Sequence, residues 1–311
     1  MTRLGAILLV IALSLLPFFA GEFYTNLASQ ILIAAIFALS LNLLVGYAGL
    51  TSLGHAAFLG FAAYAAAWTS VKLGFAELPS ALIAIGATLV LAALFGLIAL
   101  RATGLGFLMI TLALSQVLWG LAYRWASITG GDNGLPGVLR PMPFGITLEN
   151  PASFYWFTLI VFAIAFALMA IFVSSAFGSA LKGTRDQAHR MAALGHNVWL
   201  VRWLTFVYAG FWGGVAGLLY VYYHKYIHPT SLSITVSAEG LLGVIAGGAG
   251  TLFGPVVGAA LLVLLKNYAS AFIERWNMLL GFVFLFIVLV MPEGIVPGVQ
   301  RLLFGRGEKS R

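Results

Sequence analysis

Long apolar stretches, interrupted by short polar or glycine-rich breaks, run the length of this chain. They lie at 4–20, 27–45, 53–71, 80–100, 105–125, 153–174, 203–223, 238–248, 254–272 and 277–296. Most approach the roughly 20 residues that a helix needs to cross about 30 Å of hydrocarbon, so the pattern predicts an all-α, polytopic transmembrane bundle of about ten helices. The segments are expected to form one domain over 1–311. Segment 238–248 is too short to cross unaided, and the run from Gly247 to Pro255 separates it from the next. The stretch from Ser174 to Trp203 breaks the pattern differently. It sets Lys182, Arg185, Asp186, His189, Arg190, His196 and Arg202 between two apolar runs, which predicts a water-facing segment over 175–202 on one side of the membrane.

Composition narrows the class. With 62% of residues hydrophobic and only 8% charged, a soluble protein is excluded. The absence of cysteine removes disulfides, thiolate catalysis and cysteine zinc sites. The net charge of +7 comes without a run of Lys and Arg interleaved with aromatics, so nucleic acid is not an expected partner. The sidedness of the basic residues explains the charge better. If 238–248 and 254–272 are two separate short elements, both termini and the polar island face one side. That side then holds ten bases (Arg3, Arg101, Lys182, Arg185, Arg190, Arg202, Arg301, Arg306, Lys309, Arg311) against Asp186, Glu293 and Glu308. The other holds six bases and six acids, Glu239 and Lys266 among them, so the first side is expected to be cytoplasmic. Residues 4–20 resemble a signal sequence, but no small-x-small site follows them and they are counted as a span.

Two further patterns concern mechanism. Gly46-Tyr47-Ala48-Gly49 and Gly247-Gly248-Ala249-Gly250 match at three of four positions, which suggests corresponding broken or re-entrant helices in two halves, with Gly254 closing the second. Polar residues inside spans (Gln30, Asn42, Thr111, Ser115, Gln116, Glu239) must either bond to neighbouring helices or line a water-filled route. Asn42, Tyr47, Ser52, Thr111 and Gln116 are the candidate lining of a translocation path. His224 and His228 are spaced i, i+4, but Pro229 follows and no third ligand is near, so an interfacial pair is expected rather than a metal site. His55 is expected to cap or pack. No phosphate-binding G-x-x-x-x-G-K-[ST] and no G-x-S-x-G nucleophile motif occurs, so neither ATP hydrolysis nor other catalysis is expected of this chain.

Three groups of residues, in order along the chain, carry a resemblance. Gly46 to Gly49 with Ser52-Leu53-Gly54-His55-Ala56-Ala57-Phe58, then Thr129-Gly130-Gly131-Asp132-Asn133-Gly134-Leu135, then Gly247 to Ala259, resemble the LivM-type permease of branched-chain amino-acid ABC importers. The closing run, ending Met291-Pro292-Glu293-Gly294, is similar too. The resemblance implies a multi-pass subunit of a bacterial or archaeal cytoplasmic membrane. It would pair with a second, LivH-type permease, two ATPase subunits that bind ATP and Mg, and a soluble substrate-binding protein. It also implies that the polar island holds the helix that docks on an ATPase, with Arg185, Asp186, Arg190, Ala193, Leu194 and Gly195 as the coupling residues. Arg185-Asp186 and Ala193-Leu194-Gly195 match the family pattern, whereas Ala188 and Ala192 stand where relatives carry acids, and Arg190-Met191 replace an Ala-Ala pair. Branched-chain amino acids, urea, short amides and aromatic acids all stay open as cargo. The rival reading is a channel or ion-coupled carrier working alone, which should place a titratable cluster at the membrane midplane.

Overall fold

The computed structural model describes residues 17, 21–142, 147–272 and 276–304; the expected first span at 4–20 lies outside the described residues apart from Pro17. The described chain is almost entirely helical. Helix α1 (Glu22–Asn42) runs into a π-helical turn (Leu43–Ala48) and is followed by α2 (Ala56–Val71), α3 (Glu77–Ala99), α4 (Leu105–Arg124) and α5 (Pro151–Ser174). Two short helices, α6 (Ala176–Asp186) and α7 (Ala188–Ala193), lead to α8 (Val198–His224), α9 (Ile234–Gly247), α10 (Gly254–Phe272), α11 (Trp276–Val290) and α12 (Ile295–Phe304). Two-residue strands β1 (Leu135–Pro136) and β2 (Tyr226–Ile227) pair antiparallel and tie the loop after α4 to the end of α8.

Among the described residues, five helices are long and apolar enough to cross a membrane, namely α1 with its π turn, α3, α4, α5 and α8. Burial sorts them into two layers. In the apolar window of α1, 83% of residues are buried within the protein and in α8 67%, against 22% in each of α3, α4 and α5. The first two are the core around which the rest pack, and the other three present Leu78, Leu82, Leu105, Met109, Ile160 and Ile164 outward, as a lipid-facing surface does. Small residues allow the close approach inside. A methyl group at Gly217 would strike the Leu59 carbonyl, and one at Gly210 would strike Ala92.

The region expected to span at 53–71 is helical only from Ala56, and α2 with its 16 residues is short for a crossing. The chain from Gly49 to His55 enters the bundle as irregular backbone, so α2 begins inside the protein. Its first amide is satisfied there by another helix, Ala56 N–H donating to Ser237 Oγ at 2.9 Å. His55, wholly buried, packs on Phe37 and Phe58, with its Nε2 2.8 Å from Ser40 Oγ. His224 lies tilted against the Tyr220 ring, while His228 turns to Thr230 and Asp132, so the two rings have separate neighbours.

The segments at 238–248 and 254–272 form two helices folded back on each other. Gly247 abuts Gly254, Gly243 abuts Gly258, and Glu239 reaches Lys266, an antiparallel register. Gly294 and Pro297 pack against Gly248, which puts the start of α12 at the closed end of this hairpin. At the opposite end Arg140 holds the long loop before α5 to the terminus of α8, donating to the carbonyls of Tyr222, Tyr223 and Leu148 and lying over the Phe154 ring at 4.5 Å.

Candidate functional site

The polar island folds as a bracketed helical pair. Ser175 caps α6, its Oγ accepting from Gly178 N–H at 3.2 Å, and Asn197 caps α8, its Oδ1 accepting from Leu200 N–H at 3.1 Å. Between them the backbone breaks at Gln187, and α7 ends at Gly195, whose φ of 87° is left-handed. His196 N–H reaches back to the Met191 carbonyl at 3.1 Å and Gly195 N–H to Ala192 at 3.0 Å, a Schellman end that needs a residue without a Cβ. Leu181 and Thr184 bury one face of α6. Arg190, Ala193, Leu194 and Gly195 are exposed, and Leu194 has 69% of its surface free.

Arg185 looks the other way. Its Nη1 donates to the Gly46 carbonyl at 2.7 Å, its stem packs on Gly49, and its Nε pairs with Asp186 at 2.8 Å. Gly46 lies in the π-helical turn, where the i→i−4 ladder is already irregular and a carbonyl is free to take an outside donor. Lys182, one turn earlier on α6, lies 5.6 Å from the Tyr47 ring centroid.

The same turn meets the second glycine-rich segment. Asn42, at the last position of α1, uses both ends of its amide on that backbone: Nδ2 donates to the Thr251 carbonyl at 2.8 Å and Oδ1 accepts from Gly250 N–H at 2.9 Å. A methyl group at Gly46 would collide with Gly250 N. Thr251 in turn organises the corner, donating to the Gly248 carbonyl at 2.8 Å and accepting from Gly254 N–H at 3.0 Å. The two matching glycine segments therefore touch, although they adopt different structures. The first is a continuous π turn, and the second is a non-helical corner with Gly248 at φ 118° and Gly250 at φ 81°.

The five candidate path residues fall into separate groups. Asn42 and Tyr47 belong to this seam, with Lys182 and Arg185 of α6 beside them. Ser52 and Thr111 are both buried and both border Gly54, whose N–H lies 3.3 Å from Ser52 Oγ and whose missing Cβ would strike the Thr111 carbonyl. The Thr111 hydroxyl bonds back to its own helix at Leu108. Gln116 is half-buried further along α4.

Sequence reasoning did not assemble one polar-ended opening. A cleft of about 360 Å³ lies between α1, α8, α9 and α10 at the end of the bundle opposite α6 and α7. Its walls are apolar, and its polar end holds Gln30, Tyr223, His224, Glu239 and Lys266. Lys266 Nζ is 3.3 Å from Glu239, Gln30 Nε2 donates to Tyr223 Oη at 2.8 Å, and Asn267 Nδ2 donates to Gln30 Oε1 at 3.3 Å. The signal was present, since an acid and a base inside apolar helices need each other, but it becomes usable only once the hairpin register is known.

The profile of a protein family described as the permease component of branched-chain amino acid transport systems matches residues 23–289. The chain is similar to the high-affinity branched-chain amino acid transport system permease protein LivM of Salmonella typhimurium (strain LT2), 26% identical with 93% of this chain and 73% of that protein covered. It is likewise similar to the LivM protein of Escherichia coli (strain K12), 27% identical with the same coverage. No solved structure gives a significant match.

Proposed function

This chain belongs to the family of permease components of branched-chain amino acid transport systems, and we propose that it carries hydrophobic amino acids inward as the LivM-like half of an ATP-driven importer. In this reading it is not itself an enzyme. A second, LivH-type permease completes the pore, two ATPase subunits bind ATP and Mg, and a soluble binding protein delivers cargo. The end bearing α6, α7 and α12 faces the cytoplasm, in keeping with the ten bases that the sequence assigns to that side.

One observation carries the coupling mechanism, the bond from Arg185 to the Gly46 carbonyl. An ATPase that grips the exposed end of α7 at Leu194 moves α6, and α6 is fastened through Arg185 to the π turn. Asn42 fastens that turn to Gly250 and Thr251, the corner of the α9–α10 hairpin. A push on the island thus reaches both glycine-broken segments through three side-chain hydrogen bonds and the backbone between them. Alternating access needs such an element with two arrangements, each favoured by a different state of the ATPases.

The test uses the reconstituted importer. Arg185→Ala should leave assembly intact and lower substrate-stimulated ATP hydrolysis and uptake at least tenfold, with Arg185→Lys intermediate because it keeps a donor. Wild-type stimulation in Arg185→Ala would remove this bond from the coupling route. Cysteines placed at Leu194 and Asn150 in the cysteine-free background should label from opposite faces of the membrane, and labelling of both from one face would overturn the sidedness.

A further inference from the structure

Three helices present the same spacing to the cleft at the outer end. Gln30, Ile33, Ala34 and Phe37 on α1, Val236, Glu239, Gly240 and Gly243 on α9, and Ala259, Leu262, Val263 and Lys266 on α10 each follow i, i+3, i+4, i+7. That spacing lines up one face of a helix, so three faces converge on a single space. At about 360 Å³ it lies within the roughly 300–1,000 Å³ of small-molecule sites, and it has their usual build of apolar walls with a few convergent polar groups.

We propose that this cleft is a subsite for a zwitterionic amino acid. Glu239 takes the ammonium group, Lys266 takes the carboxylate, and the hydrocarbon side chain lies along Phe37, Leu262 and Val263. The inference rests on the permease reading and deepens it. Its argument is charge matching. Glu239 and Lys266 stand 3.3 Å apart, and together they are neutral. Opening that pair leaves the largely buried Glu239 carboxylate and the half-exposed Lys266 ammonium to be compensated. A zwitterion compensates both at once and is itself neutral, so the exchange adds no net charge to the membrane. A carboxylate alone or an amine alone matches one partner and strands the other. Urea and simple amides bring no charge with which to part the pair. Gln30, held by Tyr223 and Asn267, borders the same end and offers a neutral amide beside the charged groups. Gly240 lets the Phe37 ring close against α9, and Gly243 lets the α10 backbone approach, so the apolar wall is packed from both sides.

The experiment uses the complete importer in vesicles, with a diazirine analogue of L-leucine as the probe. Irradiation should place label on the peptides covering 236–243 and 259–266. Excess L-leucine should reduce it at least fivefold, and 4-methylpentanoate and 3-methylbutylamine should not. Label confined to other peptides of this chain overturns the subsite. Equal competition by 4-methylpentanoate overturns the charge matching. Glu239→Gln and Lys266→Met should each cut leucine uptake at least tenfold. Leu262→Trp, which fills the cleft and leaves both charges in place, should do the same and carries the test if a charge variant fails to assemble. Wild-type uptake in all variants that assemble sinks the subsite alone. Vesicles of the wild-type importer that take up no leucine with ATP sink the permease reading instead.

Discussion

At its closed end the α9–α10 hairpin has no space for a methyl group, where Gly247 meets Gly254; at its open end the same two helices border a cleft of about 360 Å³ edged by Glu239 and Lys266. The closed end is held by backbone, by Thr251 and by the Asn42 amide, and it lies against the segment that carries Arg185. The open end is held by long side chains that can part. Rigid contact suits the transmission of force, because a packed backbone seam moves as a unit and cannot yield gradually. Volume and separable charge suit a passing solute. One hairpin thus supplies a stiff corner at the end near α6 and an adaptable mouth at the other.

The largest expected effect breaks the stiff end. Gly247→Ala puts its Cβ into the Gly254 carbonyl, a backbone atom that cannot rotate away, and overpacking of this kind costs about 1–3 kcal/mol or more. The variant should lose monodispersity on size-exclusion chromatography or show a sharply lowered unfolding temperature. Gly281→Ala, with open space around the added methyl, should unfold with the wild type. If the two variants behave alike, the corner is not tight and the contrast between the ends collapses.

A middle-sized effect separates the seam from the hairpin. Asn42→Ala leaves the Gly250 N–H and the Thr251 carbonyl without their partner, at about 1–3 kcal/mol for each buried group that finds no other. Thermal unfolding followed by tryptophan fluorescence should shift down by several degrees. Asn42→Asp, which keeps an acceptor for Gly250 and loses the donor to Thr251, should not restore the wild-type value.

The smallest effect contrasts two ion pairs. Glu149, in the loop before α5, and Lys225, at the end of α8, form an exposed bond, and that bond holds the Glu149 carboxyl below its ordinary range. A depressed folded value means stability that is present above the unfolded carboxylate pKa of about 4.3 and is lost as pH falls toward the folded value. Glu149→Gln should therefore change the unfolding temperature slightly at neutral pH and not at all below the folded value, since exposed pairs contribute little. Glu239→Gln in the cleft should change uptake far more than it changes stability. The reverse ranking would make the cleft pair an ordinary structural bridge.

Much of this molecule was legible along the chain. The spans came from runs of apolar residues about one membrane thick, a local property, and the polar island from the cost of placing charge in hydrocarbon. The separation of 238–248 from 254–272 followed from their length and from basic residues in the tail, and the folded-back hairpin agrees with it. Legibility failed where neighbours are remote in sequence. Asn42 looked like lining because a polar side chain in a span must satisfy itself somewhere, and the chain alone does not say where. Its partners are 208 and 209 residues away. Residues 53–55, irregular backbone just before α2, fall within the expected span at 53–71, since hydropathy measures the side chains and not whether a distant Ser237 will satisfy the first amide of the helix.

Hydropathy, charge placement and glycine content by themselves determined that this protein crosses a membrane many times, which segment stays in water and where helices must break, because each is set by the transfer of a residue's own groups between water and hydrocarbon. Only the tertiary structure decided that the two glycine segments touch, that Arg185 holds one of them, and that Glu239 and Lys266 share a cleft. Those are pairings between surfaces, and a surface exists only after the helices have chosen the faces on which to pack.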